Sequence, residues 1–201
     1  MIVFFLGIFA AYYAARLPRV LKGIVDVALT LPMVLPPTVC GYFLLLVFGV
    51  KRPVGRFLLQ FGIRLVMTWY GGVLASVVVA FPLMYRTARG AFESFDERLS
   101  HAGQTLGLSN TFIFWRIRMP ACRQGILAGT VLAFARALGE YGATSMLIGY
   151  TPGRTATIST TVYQLWRIND DRAAMIWVLV NLGISTVVLL AVNLLERKRK
   201  A

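Results

Sequence analysis

With 58% of its 201 residues hydrophobic, 14% charged and a mean hydropathy of +0.70, the chain carries more apolar surface than a water-soluble domain of this size can bury. Its 21 Lys and Arg against 8 Asp and Glu give a net charge of +13, yet no basic stripe with interleaved aromatics runs along it. That argues against nucleic acid as a partner and assigns the charge to anionic membrane lipid and to topology.

Five apolar runs lie near 1–15, 27–50, 69–85, 125–148 and 173–195. A helix crossing about 30 Å of hydrocarbon needs roughly 20 residues, so four runs suffice and the first is short. No basic segment precedes the first run, and Arg16, Arg19 and Lys22 follow it, which fits a first span entering the cytoplasm better than a signal peptide. Its shortness leads us to expect a misassigned start, with more apolar sequence upstream, or a trimmed first helix.

The second run opens with three prolines, Pro32, Pro36 and Pro37, each of which removes a backbone donor and disfavours helix just before it. Two readings stay open: a kinked helix start, or a translocation path past Pro36, Pro37 and Thr38, since irregular backbone at this depth must be buried in protein or line a cavity. Cys40 lies inside this run and Cys122 at the edge of the fourth, at different depths, so neither a disulfide nor a metal site follows.

The fourth run carries Gly125 and Gly129 at the spacing that lets helices approach closely. Arg136 and Glu140, four residues apart, are read on one helical face and are the ionisable pair deep in a span. Either they pair with each other, or one of them lines a polar path or gate with Tyr141 and Thr144 nearby; an Arg there suits an anionic cargo. The fifth run ends in the basic tail ERKRKA, a stop-transfer signal.

Counting Lys and Arg by loop sets the topology. Segments 16–26, 86–124 and the tail hold 13, whereas 51–68 and 150–172 hold 7. The bias places the N-terminus outside, the C-terminus inside and the 86–124 loop in the cytoplasm, with five spans in a single all-α membrane domain over 1–201.

That loop is longer than a turn requires, because helix connections usually take about 2 to 8 residues. A helix is expected over Glu93 to Leu106, with Gly107 as its left-handed stop. A second short helix follows, with Ser109 or Asn110 as N-cap, running to Arg118 until Pro120 ends it. Ala102 and Gly103 are expected to present a small-residue surface to another protein.

Here the sequence resembles the permease subunits of bacterial ABC importers, whose cytoplasmic loop reads E-A-A, three residues, G, nine residues, I-x-L-P. This chain has His101, Ala102 and Gly103, then Gly107, Ile117, Met119 and Pro120 at that spacing, with His101, Gly103 and Met119 replacing Glu, Ala and Leu. The segments LPMVLPPTVCGYFLLL, SVVVAFPLMYRTARGAFE, TVLAFARALGEYGAT and GRTATISTTVY resemble the molybdate permease branch. Tungstate and sulfate permeases are similar in the FARALGEYG portion and remain the alternative.

The resemblance implies a type I importer permease fold of about five transmembrane helices plus cytoplasmic coupling helices. It also implies a homodimer, two ATPase subunits that hold ATP and Mg, and an external oxyanion-binding protein. The coupling residues would be His101, Ala102, Gly103, Leu106, Gly107, Ile117, Met119 and Pro120, docking on the ATPase. Consistent with that division, the chain has no GxxxxGK[ST] loop to cradle phosphates, and no cofactor of its own is expected. Two other classes compete. A membrane-embedded enzyme would need a clustered site, for which Glu93, Asp96 and Glu97 are the acidic candidates; an ATP-independent channel would need no coupling loop.

Overall fold

The computed structural model describes residues 1–197, with side chains to residue 190; the basic tail falls, from residue 198 on, outside the described residues. Among these the chain is all-helical: α1 (Ile2–Ala15), α2 (Arg19–Val34), α3 (Pro37–Phe48), α4 (Pro53–Gln60), α5 (Trp69–Glu93), α6 (Glu97–Thr105), α7 (Asn110–Ile113), a π-helical turn (Phe114–Arg118), α8 (Met119–Ala121), α9 (Arg123–Leu138), α10 (Gly142–Ile148), α11 (Ile158–Arg167) and α12 (Asp171–Arg197). Two described helices are long and apolar enough to cross a bilayer alone, α5 and α12 over Asp171–Leu190; α2 and α3 make a third if they count as one broken span. α1 has 14 residues, short for a span, as its sequence implied.

Contacts divide the chain into two compact units, Met1–Val34 with Ala80–Phe134, and Leu35–Val79 with Ala135 onward. In the first, α1 lies against α5 so closely that a Cβ at Gly7 would sit 2.5 Å from Met84 Cγ. Ala11, Ala80, Met84, Tyr85 and Ala88 are fully buried there. The spacing of Gly125 and Gly129 serves the same purpose on α9: their Cβ positions would fall 2.5 Å from Ala91 Cβ and 3.1 Å from Thr87 Cβ. α5 continues past the expected 69–85 to Glu93 because its polar end is satisfied. Tyr85 donates to Asp26 Oδ1 at 2.5 Å, Arg89 pairs with Asp26, and Lys22 pairs with Glu93.

In the second unit the core is Cys40, Leu44, Ala75, Val79, Ala143, Leu147 and Ile148. α3 and α10 meet backbone to backbone, since a Cβ at Gly41 would lie 2.8 Å from Ala143 Cα. α4 is turned back by an equally close approach, with the Gly55 Cβ position 2.1 Å from the Gly49 carbonyl oxygen. α12 packs on α11 and leaves Ile176, Leu179, Leu182, Val187 and Leu190 exposed, a surface for lipid or other helices.

Two expected spans are broken. The 27–50 run divides at Pro36, which takes up extended backbone (φ −53°, ψ 138°) as the N-cap of α3, with Pro37 at its first position. The 125–148 run divides between Leu138 and Gly142, and two elements that the apolar runs did not foreshadow, α4 and α11, fill the loops.

Filling the Gly41 contact should be expensive where adding to open space is not. Gly41→Val is expected to cost about 1–3 kcal/mol by overpacking. Gly23→Ala, with nothing within 4 Å of the new Cβ, should be stabilising by about 0.5–1 kcal/mol. Thermal midpoints of the two variants in one detergent measure the contrast.

Candidate functional site

The candidates of the 86–124 loop form a closed hairpin within the first unit. α5 ends at Glu93, and α6 begins only at Glu97, later than expected, because Asp96 serves as N-cap and accepts from the Arg98 N–H at 3.0 Å. The Arg98 side chain also donates to Asp96 at 3.0 and 3.1 Å, and these bonds hold that carboxyl below its ordinary range. Gly107 ends the helix as the sequence foretold: its φ of +76° lets its N–H reach the Gln104 carbonyl and the Leu108 N–H reach that of Gly103. Ser109 then caps α7, accepting from the Phe112 N–H at 3.2 Å, and Gln104 donates across the hairpin to Asn110 at 3.1 Å.

Two details differ from the sequence reading. Gly103 is buried inside the hairpin and faces no outside surface; its Cβ position lies 3.1 Å from Ile113 and 3.4 Å from Ile117. Pro120 does not end the second helix. The widened π turn over Phe114–Arg118 precedes it, and helical backbone runs on to Ala121, with the Cys122 N–H bonded to the Arg118 carbonyl at 2.9 Å. His101, Ala102, Leu106, Gly107 and Pro120 are exposed, whereas Ile117 and Met119 are half-buried. Leu99, Phe112 and Trp115, which the spacing pattern passes over, add exposed apolar surface, Trp115 at 57%.

The second set of candidates assembles in the other unit. Glu140 does not lie on a helical face with Arg136, because α9 has already ended at Leu138. Its carboxylate, 3% exposed as a residue, caps α10: Oε1 accepts from the Ala143 N–H at 2.7 Å while Oε2 pairs with Arg136 at 2.7 Å. Arg136 keeps 31% of its side chain exposed. Pro37 and Thr38 come to the same place, since a Cβ at Gly142 would sit 2.9 Å from Pro37 Cβ and 3.1 Å from the Thr38 nitrogen. Thr144 is buried at 1% exposure, and the half-buried Tyr141 ring meets Tyr163 at 5.0 Å. Thus residues about a hundred positions apart in sequence form one layer, with Pro36 and Thr38 exposed at its edge.

Comparison with known proteins decides the lineage: residues 4–201 match the family described as binding-protein-dependent transport system inner membrane component. The chain belongs to that family. It is 44% identical over 160 residues to the molybdenum transport system permease protein of Escherichia coli K12, covering 79% of this chain and 70% of the relative. A putative molybdenum transport system permease of Bacillus subtilis is 36% identical over 94% of the chain and 84% of its own length. A probable sulfate transport system permease of Chlorokybus atmophyticus is 31% identical over 96% and 67%.

Sequence reasoning missed the capping role of Glu140 and the partners of Arg118, described below. Gly139 just ahead of Glu140 was the available signal for a helix end. Removing the carboxylate in Glu140→Ala should cost about 2–3 kcal/mol, from a lost cap and an unpaired Arg136 that stays partly solvated. Glu140→Gln, which keeps an oxygen for the Ala143 N–H, should lose less than half as much; thermal unfolding of the two variants in detergent reads the difference.

Proposed function

We propose that this chain is the membrane-spanning subunit of an ATP-driven importer for a tetrahedral oxyanion, and that its cargo is molybdate. Two copies, each with five spans, an outside N-terminus and a cytoplasmic C-terminus, enclose the path. Two ATPase subunits bind the loops from the cytoplasm, supply the ATP and Mg, and carry out hydrolysis, and an external binding protein delivers the anion. The basic-residue bias of the loops supports this orientation.

The observation that carries the docking role is the folded hairpin itself. A connection of this length is uncommon between packed helices and is usually kept for a function. This one satisfies its own helix ends through Asp96, Ser109 and Gly107 and presents His101, Ala102, Leu106 and Gly107 on its surface. Closure of the ATPase pair draws the two hairpins together and switches the attached helices between inward-open and outward-open packings by rigid-body motion. His101, a single imidazole, contributes surface contact and no metal chemistry.

For the cargo, the support is the identity to molybdenum permeases above that to sulfate permeases, together with Arg136 as a half-exposed cation beside the broken helices. Pro36, Pro37, Thr38, Tyr141 and Thr144 shape the passage around it.

Co-purification tests the docking role. Wild type should retain its ATPase partner, and Gly107→Pro, which forbids the positive φ and removes the N–H that closes α6, should lose it; unchanged stoichiometry would count against the hairpin as the docking element. Uptake by the reconstituted complex settles the cargo. Labelled molybdate should enter in an ATP-dependent manner and be displaced by unlabelled molybdate at lower concentration than by tungstate or sulfate.

A further inference from the structure

Arg118 occupies the variable position of the loop pattern, between Ile117 and Met119, yet its side chain is only 4% exposed. One of its terminal nitrogens donates to both Glu97 oxygens, at 2.7 and 2.5 Å, and to Ser100 Oγ at 3.0 Å. Its guanidinium also lies over two rings, 4.7 Å from the Phe95 centroid and 5.6 Å from that of Tyr12. Tyr12 belongs to α1, and its ring packs on Phe114 of the π turn at 4.6 Å and on Phe92 of α5 at 5.8 Å. A single cation therefore touches the π turn, α6, the connection ahead of α6, and α1.

Stability alone does not call for such a residue. Burying a cation carries a desolvation penalty that an apolar side chain of similar volume avoids, and such replacements are often neutral or stabilising. What the guanidinium adds is direction, because its planar fork and flat faces fix the angle between the groups it joins.

The surrounding space sharpens the point. A cleft of about 390 Å³ lined by Arg16, Lys22, Glu93, Phe95, Glu97 and Arg118 and a smaller one of about 70 Å³ that includes Tyr12, Ser100 and Arg118 both open against Arg118. Beside these clefts α1 meets the loop through Tyr12, whose ring packs on Phe114 and faces the Arg118 guanidinium.

We infer that Arg118 is a positioning residue that pins α1 to the coupling hairpin, so that displacement of the hairpin is carried into the first membrane helix. This rests on the importer reading. Without the pin, the hairpin still docks and the ATPase still turns over, but the stroke is spent in the clefts beside α1.

The test uses the complete complex, permease with ATPase and binding protein, in vesicles, and records molybdate taken up per ATP hydrolysed. Arg118→Met and Tyr12→Leu should retain the ATPase at wild-type stoichiometry and lower that ratio by at least about five-fold, the low end of ordinary coupling energies. Arg118→Lys, which keeps the charge over the rings but not the fork, should fall between. A residue that only stabilised the hairpin would lower the amount of complex and leave the ratio unchanged. An unchanged ratio in both Arg118→Met and Tyr12→Leu overturns the pin, and if Arg118→Met fails to assemble, Tyr12→Leu alone decides, since it leaves the Glu97 pair intact. Retention of the ATPase by Gly107→Pro would instead overturn the docking role, so the two failures are told apart.

Discussion

A helix end buried in protein has no water to satisfy its free backbone groups, and the second unit depends on how Glu140 meets that constraint. The break between α9 and α10 leaves the N–H groups at the start of α10 without helical partners, which is costly where they are buried away from water. Glu140 supplies the acceptor for Ala143 from inside the protein, and its own charge is in turn met by Arg136. Capping, burial and ion pairing are thus one arrangement. The Glu140 side chain is 1% exposed, and two residues on, Pro37 and Thr38 pack so closely on Gly142 that a larger residue would clash.

Close backbone approach does the rest of the assembly. Lipid tails are as apolar as leucine, so helices in a membrane gain little from hiding apolar surface and associate through van der Waals contact between small residues. Gly7, Gly41, Gly125 and Gly142 each leave a Cβ-sized vacancy that a neighbouring helix fills. α5 and α12 run without interruption and are long and apolar enough to cross a bilayer, whereas the second and fourth runs break at Pro36 and between Leu138 and Gly142.

What could be read from the sequence was what local chemistry determines. Gly107 stops α6 because left-handed backbone is a property of the residue itself, and Ser109 caps α7 through a bond three positions away. Gly125 and Gly129 announce close packing through spacing alone. Tertiary contacts decided the rest. Gly103 looked like a surface residue beside the exposed Ala102, and only its approach to Ile113 turns it inward. Pro120 read as a terminator, but the π turn ahead of it shifts the backbone bonding to five residues apart, so its ring no longer meets the tight α-helical turn it would otherwise disrupt. Arg136 and Glu140 have the i, i+4 spacing of a helical pair, and that spacing outweighed the one local sign of a stop between them, Gly139.

The arrangement of charge in that broken layer also bears on how an anion would pass in the proposed importer. A helix N-terminus attracts negative charge, but the start of α10 is already occupied by the Glu140 carboxylate. That same carboxylate pairs with the Arg136 guanidinium, and about a third of the Arg136 side chain stays exposed, where the proposed cargo would meet it. An oxyanion there gains from one partly neutralised cation and is opposed by a buried carboxylate close behind it. In the proposed importer such a site would hold its ion weakly. Weak holding would suit a passage, since an ion bound too well does not leave, and under that proposal tight selection would fall to the external binding protein.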